Sequence, residues 1–172
     1  MQRIPTDKED ALYAWLSGIL TGASVIWDKE DGVRPPLPFA TMNIISGPSS
    51  AGPAEERYKS QDTYAYAMRK KFTLSINVHS DDALMRINSI VNALELPSHQ
   101  SILQGAGIAV WGNSDPRDLS QLMDTEYEGR AQIDINLSFA QTIEDSPGEI
   151  RTVHVRGDIQ GVVTENLIEV GE

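Results

Sequence analysis

The chain has no cysteine among its 172 residues. That excludes disulfides, thiolate metal sites and a cysteine nucleophile, and it fits a reducing compartment. Basic residues are scarce: 14 Lys and Arg against 25 Asp and Glu leave a formal net charge of -11. A wrapped nucleic acid needs lysine and arginine to displace counterions, so this balance argues against one. The acid reads first as solubility, and second as a face or passage that must not adsorb a polyanion. Aromatics make up only 6%. The Trp15 and Trp27 rings read as core, because no basic residues interleave with them as on a base-stacking platform. Hydrophobic runs are short: none approaches the ~20 apolar residues of a spanning helix, and no apolar segment follows basic residues at the start. The chain therefore reads as soluble, away from any membrane, and acting where it is made.

What is present is a clear pattern. In Phe72-Thr73-Leu74-Ser75-Ile76-Asn77-Val78 apolar and polar residues alternate, the signature of a strand with one apolar face. Ser80 offers an N-cap oxygen, and Asp81 and Asp82 place negative charge at the positive end of a helix. Leu84, Ile87, Val91 and Leu94 then recur at helical spacing, with Ile90 widening the stripe. From Gln132 to Phe139 the strand code returns, with Ile133, Ile135, Leu137 and Phe139 against Asp134, Asn136 and Ser138. Two such strands and one such helix bury themselves most simply as a sheet with a helix on its apolar side.

Further elements flank this centre. Thr6-Asp7-Lys8-Glu9 has the form of a capping box before the stripe Ala11, Leu12, Trp15, Leu16, Ile19 and Leu20, which Gly22 ends. Ser24 to Asp28 reads as a short strand and Lys29 to Gly32 as a charged turn. The prolines of Arg34-Pro35-Pro36-Leu37-Pro38 lead rigidly, in polyproline geometry, into a strand from Ala40 to Ile45. Ser46 to Ala54 reads as a loop, and Glu55 to Asp62 as an arm or an extension of the next strand. Pro97 to Gly105 suits a short helix and Ile108 to Trp111 a strand; Arg117 to Met123 is strand or helical turn. After the long strand from Glu128 to Thr142, Ser146-Pro147-Gly148 turns the chain back into Ile150 to Val155. The fold class is α+β: a mixed, mostly antiparallel sheet with long strands, packed on one side by an N-terminal helix and a central helix. The expected division is one domain over 1–160 and an acidic C-terminal tail over 161–172.

Catalytic chemistry finds no foothold. His79, His99 and His154 are scattered, with no pair at metal-ligand spacing, and read as exposed or singly hydrogen-bonded. There is no G-x-S-x-G elbow and no phosphate loop; Gly105-Ala106-Gly107 is too short for a dinucleotide site. Asp81 with Asp82 reads as helix charge compensation before it reads as a Mg²⁺ site. The P-x-x-P of Arg34–Pro38 reads as a lead into a strand before it reads as a groove ligand. The expectation is no catalytic residue, no cofactor and no metal.

Taken in order, several stretches resemble the phage neck or tail terminator proteins. They are the N-terminal helix with Leu12, Trp15 and Leu16, then Val25-Ile26-Trp27, Arg34-Pro35-Pro36-Leu37-Pro38-Phe39, and the strand and helix from Phe72 to Leu94. Tyr127-Glu128-Gly129-Arg130-Ala131 and Glu149-Ile150 through Val153-His154-Val155 complete the likeness. The resemblance implies a virion structural protein at the tail–neck junction, assembled in the host cytoplasm as a homo-hexameric ring. Such a ring stops tube polymerisation and joins the tail to the neck. Implied partners are its own copies, the tail tube protein, a neck or connector protein and, in contractile tails, the sheath, with DNA passing through the lumen without specific binding. The loop over 46–62 and the C-terminal tail would serve as contact arms. Because basic residues are scarce, Arg34, Arg57, Arg69 and Arg130 are the expected interface charges, against a reading as ordinary solvated surface. The competing function is a stand-alone small-molecule or peptide-binding α/β module, with a small hydrolase behind it.

Overall fold

Strand β4 (Thr63–His79) is the longest element, with 17 residues, and the rest of the first sheet is laid out around it. The computed structural model describes residues 4–28, 33–60, 63–123, 126–146, 152–159 and 162–169. Before β4 come α1 (Thr6–Ile19), β1 (Ser24–Trp27), β2 (Phe39–Ser50) and β3 (Glu55–Ser60). After it come α2 (Ala83–Glu95), α3 (Pro97–Gly105), β5 (Ile108–Asn113), β6 (Arg117–Asp118), β7 (Gln121–Met123), β8 (Glu126–Glu128) and β9 (Arg130–Asp145). The hairpin of β10 (Thr152–Ile159) and β11 (Val162–Glu169) follows. The fold is α+β with a mixed, mostly antiparallel sheet.

Two compact units emerge, Met1–Ala54 with Met68–Gln141, and Glu55–Ala67 with Thr142–Glu172. In the first, the strand order is β1-β2-β4-β9-β5, with β6 also pairing β9. Strands β1 and β2 run parallel; β2 with β4, and β5 and β6 with β9, are antiparallel. Side chains alternate across a strand, so Phe72, Leu74, Ile76 and Val78 of β4 share a face with Ile133, Ile135, Leu137 and Phe139 of β9. These residues are buried in one cluster with Leu12, Trp15 and Leu16 of α1, Ile87, Ile90 and Leu94 of α2, and Leu103 of α3. All three helices thus cover the same face of the sheet. In the second unit β3 pairs with the start of β4, Glu55 opposite Ala67 and Glu56 opposite Tyr66, and β10 pairs with β11 from Thr152↔Glu169 to Ile159↔Val162.

The alternating strands, the three helices and the turn at Gly22 (φ 79°) follow the sequence pattern. Other expectations are corrected. Helix α1 starts at Thr6 with Pro5, not Thr6, in the N-cap position, and the Pro5 carbonyl receives the Lys8 and Glu9 amides at 2.9 and 3.1 Å. Likewise α2 starts at Ala83, after Asp82 in the N-cap position, because Ser80 is buried in the preceding turn and its hydroxyl donates to Asp82. The α2 stripe is rotated accordingly, with Ala83 buried and Leu84 43% exposed.

The stretch from Ser46 stays in β2 as far as Ser50, through two register shifts. Gly47 (φ 86°) makes this possible: a Cβ there would lie 2.4 Å from the Lys71 carbonyl oxygen. Pro48 is tolerated because the outer side of β2 runs past the end of β1, and a shifted edge needs no ladder donor. Glu55–Ser60 is strand β3, and Val162–Glu169 is strand β11 where a weakly patterned tail was expected. The polyproline lead-in is irregular, with a cis peptide between Leu37 and Pro38. The expected turns over 29–32 and 147–148 lie outside the described residues.

Candidate docking face

The alternation that buries one side of β4 and β9 presents the other side as a helix-free polar face. From β4 it carries Arg69, Lys71, Thr73, Ser75, Asn77 and His79, and from β9 Arg130, Gln132, Asp134, Asn136 and Ser138. These are not independent solvated groups. Thr73 Oγ1 donates to Asn136 Oδ1 at 3.0 Å, Gln132 Nε2 to Ser75 Oγ at 2.9 Å, and Arg130 Nη2 to Asn77 Oδ1 at 2.9 Å. Asp134 accepts from Gln132 Nε2 at 3.0 Å and from Arg117 Nη2 at 3.3 Å. A ladder of cross-strand bonds of this kind holds a polar face in one conformation.

At one end the ladder closes on a cleft of about 250 Å3 that includes Arg34, His79, Glu128 and Arg130. The His79 ring stacks on Phe39, centroids 4.4 Å apart and planes 7° from parallel, and the Arg34 guanidinium lies 5.0 Å from the Phe39 centroid. Glu128 accepts from both Arg34 and His79 Nδ1, the latter at 2.9 Å. Arg34 first and His79 second hold the Glu128 carboxyl below its usual range. His79 is pushed down by burial, which with the charges of Arg130 and Arg34 outweighs the pull of Glu128. The imidazole is therefore neutral near pH 7, and its Nδ1–H donates to the carboxylate. Gly129 fixes the corner: its carbonyl accepts the Ser80 amide at 2.9 Å, and a Cβ would lie 2.2 Å from the Ser80 carbonyl oxygen.

At the other end stands Trp111, 55% exposed. Its indole Nε1–H donates at 2.7 Å to the hydroxyl of Ser138, itself only 3% exposed, so the ring is pinned. Arg69 and Lys71 approach it, with their charged groups 5.5 and 5.0 Å from its centroid. Beside the ring is a depression of about 260 Å3 bordered by Ser46, Ser49, Thr73 and Asn136.

The four expected interface arginines part company. Arg34 and Arg130 meet at the His79 cleft, and Arg69 lies beside Trp111. Arg57 is in the second unit, paired with Glu55 at 3.1 Å. The sequence places Phe39 and Glu128 in the stretches that carry the family resemblance and Trp111 at the end of a strand, but it marks none of the three as a site residue. The parity of Arg69, Lys71 and Thr73 marks them as outward, but nothing local says that Trp111 lands beside them.

Among the described residues, no group of three or more His, Cys, Asp or Glu side chains is placed to hold a metal ion, and no helix is long and apolar enough to cross a membrane. A rigid polar sheet face with an exposed, clamped aromatic suits a protein that works by docking, and a family comparison gives the same class, that of structural, non-enzymatic virion proteins. The chain belongs to the phage neck terminator proteins: the model of that family matches residues 7–166. Among curated proteins none matches the chain. Membership implies a virion component that associates with other head or tail components.

Proposed function

We propose that this chain forms a ring, with the hexamer as the expected closed form, that caps the tail tube and joins the tail to the neck. Its partners are its own copies, the tail tube protein, a neck or connector protein and, in a contractile tail, the sheath. The observation that carries the reading is the helix-free face, whose side chains are ordered by hydrogen bonds before any partner arrives. A preordered face loses little entropy on docking. Heterologous contact between copies closes into a ring when the rotation between subunits is right. The net charge of -11 suits a ring through which DNA passes without adsorbing. No chemistry on a substrate is required. A stand-alone ligand-binding role has less support, since both clefts, near 250 and 260 Å3, fall below the ~300–1,000 Å3 of pockets that enclose a small ligand.

The test is tube growth in vitro. Added to polymerising tail tube protein, the purified chain should stop elongation and appear as a ring at one tube end in negative stain. Unaltered tube lengths and bare ends would sink the proposal.

A further inference from the structure

Six described cations, Lys8, Arg34, Arg57, Lys59, Arg86 and Arg117, each sit on a carboxylate. Arg69, Lys70, Lys71 and Arg130 do not; among the described residues none of these four has a carboxylate within ion-pair distance. In a chain with 25 acidic and 14 basic residues, such cations are the exception. Lys70 points to the other side of β4 and donates to Ser50 Oγ at 3.1 Å. The remaining three share the helix-free face, and two of them, Arg69 and Lys71, lie 5.5 and 5.0 Å from the Trp111 ring centroid. A pinned, half-exposed tryptophan beside two cations that no described carboxylate neutralises has the composition of an interface anchor, in which aromatic and arginine side chains dominate.

Among the described residues, exposed carboxylates outside any ion pair occur in the first unit, as at Asp10, Asp81, Glu95, Asp115 and Asp118, and the second unit, taken by itself, adds two more. Glu56 and Asp145 are exposed, and among the described residues neither has an ion-pair partner. Both lie near Tyr66: partial burial first, then the charges of Glu56 and Asp145, push its hydroxyl upward. One chain thus carries a cationic aromatic patch and an acidic spot, the arrangement a head-to-tail contact needs.

We infer that the Arg69–Trp111–Lys71 patch is the docking surface for a second copy of this chain, which presents its Glu56 and Asp145. The inference rests on the ring reading above and names the surfaces that would close the ring.

The experiment is a charge swap read by sedimentation velocity across a dilution series of the full chain, with negative-stain imaging. The variants are Arg69→Glu with Lys71→Glu, Glu56→Lys with Asp145→Lys, and all four together; circular dichroism checks folding. Each double variant should weaken self-association by about tenfold or more, and the fourfold variant should recover it. Should a reversal fail to fold, Trp111→Ala and Lys71→Ala carry the same test, with the same loss expected. Rings of unchanged affinity in the double variants would overturn the docking surface and leave the ring reading standing. Loss of tube capping with self-association intact would also overturn it, by giving the patch to a different partner. A native chain that stays monomeric, alone and on tube ends, would remove the ring reading and this inference with it.

Discussion

The two faces of one sheet are built on different physics. On the helix side Leu74, Ile76, Ile133 and Ile135 are at most 1% exposed, and stability comes from apolar burial, about 1.5–3 kcal/mol for each large side chain. On the other side the same two strands present Asn77, Ser75, Gln132 and Asn136, and order comes from hydrogen bonds. Such bonds add only about 0.5–1.5 kcal/mol each to stability. Their strength is orientation, which is what a docking surface needs. One face makes the fold; the other is free to be used.

Substitution should expose that asymmetry. The largest effect belongs to Ile135→Asp, which buries an unpaired charge at a site 1% exposed. It should cost about 4 kcal/mol or more and leave no folded protein by circular dichroism. Next is Gly129→Ala, where the new Cβ meets the Ser80 carbonyl oxygen at 2.2 Å. Backbone must move on both sides, at about 1–3 kcal/mol in urea denaturation. Asp134→Ala, one position from Ile135 but on the other face, should fold yet lose about 1–2 kcal/mol, because Arg117 and Gln132 lose their acceptor. Equal loss from Ile135→Asp and Asp134→Ala would mean the faces are wrongly assigned.

Smaller again is the pH response of the His79 cleft. Both His79 and Glu128 titrate below their usual values of 6.5 and 4.5. As pH falls, the unfolded chain takes up each proton before the folded one does. Stability should therefore drop in two steps, from 6.5 down to the folded value of His79, and from 4.5 down to that of Glu128. In His79→Asn the upper step should vanish while the lower remains, as thermal melts across pH can show. Smallest is Trp15→Phe: the buried indole Nε1 has no hydrogen-bond partner among the described residues, so removing it relieves a cost while ring volume is lost. A net change under about 1 kcal/mol is expected by denaturation.

The helix-side half of this picture is legible in the sequence because it is periodic. Alternation over Phe72–Val78 and Ile133–Phe139 assigns the strand faces, and a Pro97 start with a Gly105 stop marks α3 correctly. Legibility fails where long-range pairing overrides local chemistry. Ser46 to Ser50 has loop composition, yet it stays in β2 because Gly47 allows the shifted register with β4. Val162–Glu169 lacks a strong pattern and becomes a strand by pairing with β10. Ser80 has the chemistry of an N-cap, but its backbone is bound to Gly129 across the sheet. The docking face was harder still. Arg34 and Glu128 are 94 residues apart, and Trp111 reaches Arg69 and Lys71 only through the order β4-β9-β5. Scarcity of basic residues picked out Arg34, Arg57, Arg69 and Arg130; it did not show that Arg34 and Arg57 are neutralised by Glu128 and Glu55 while Arg69 and Arg130 have no carboxylate within ion-pair distance among the described residues.

The claim that the helix-free face docks is tested most directly by hydroxyl-radical footprinting of the protein dispersed and assembled. Trp111 is 55% exposed, and Met85, on α2, is 65% exposed. Assembly should suppress oxidation of Trp111 and leave Met85 as reactive as before. Protection of Met85 with Trp111 unchanged would put the contact on the helix side and contradict the assignment.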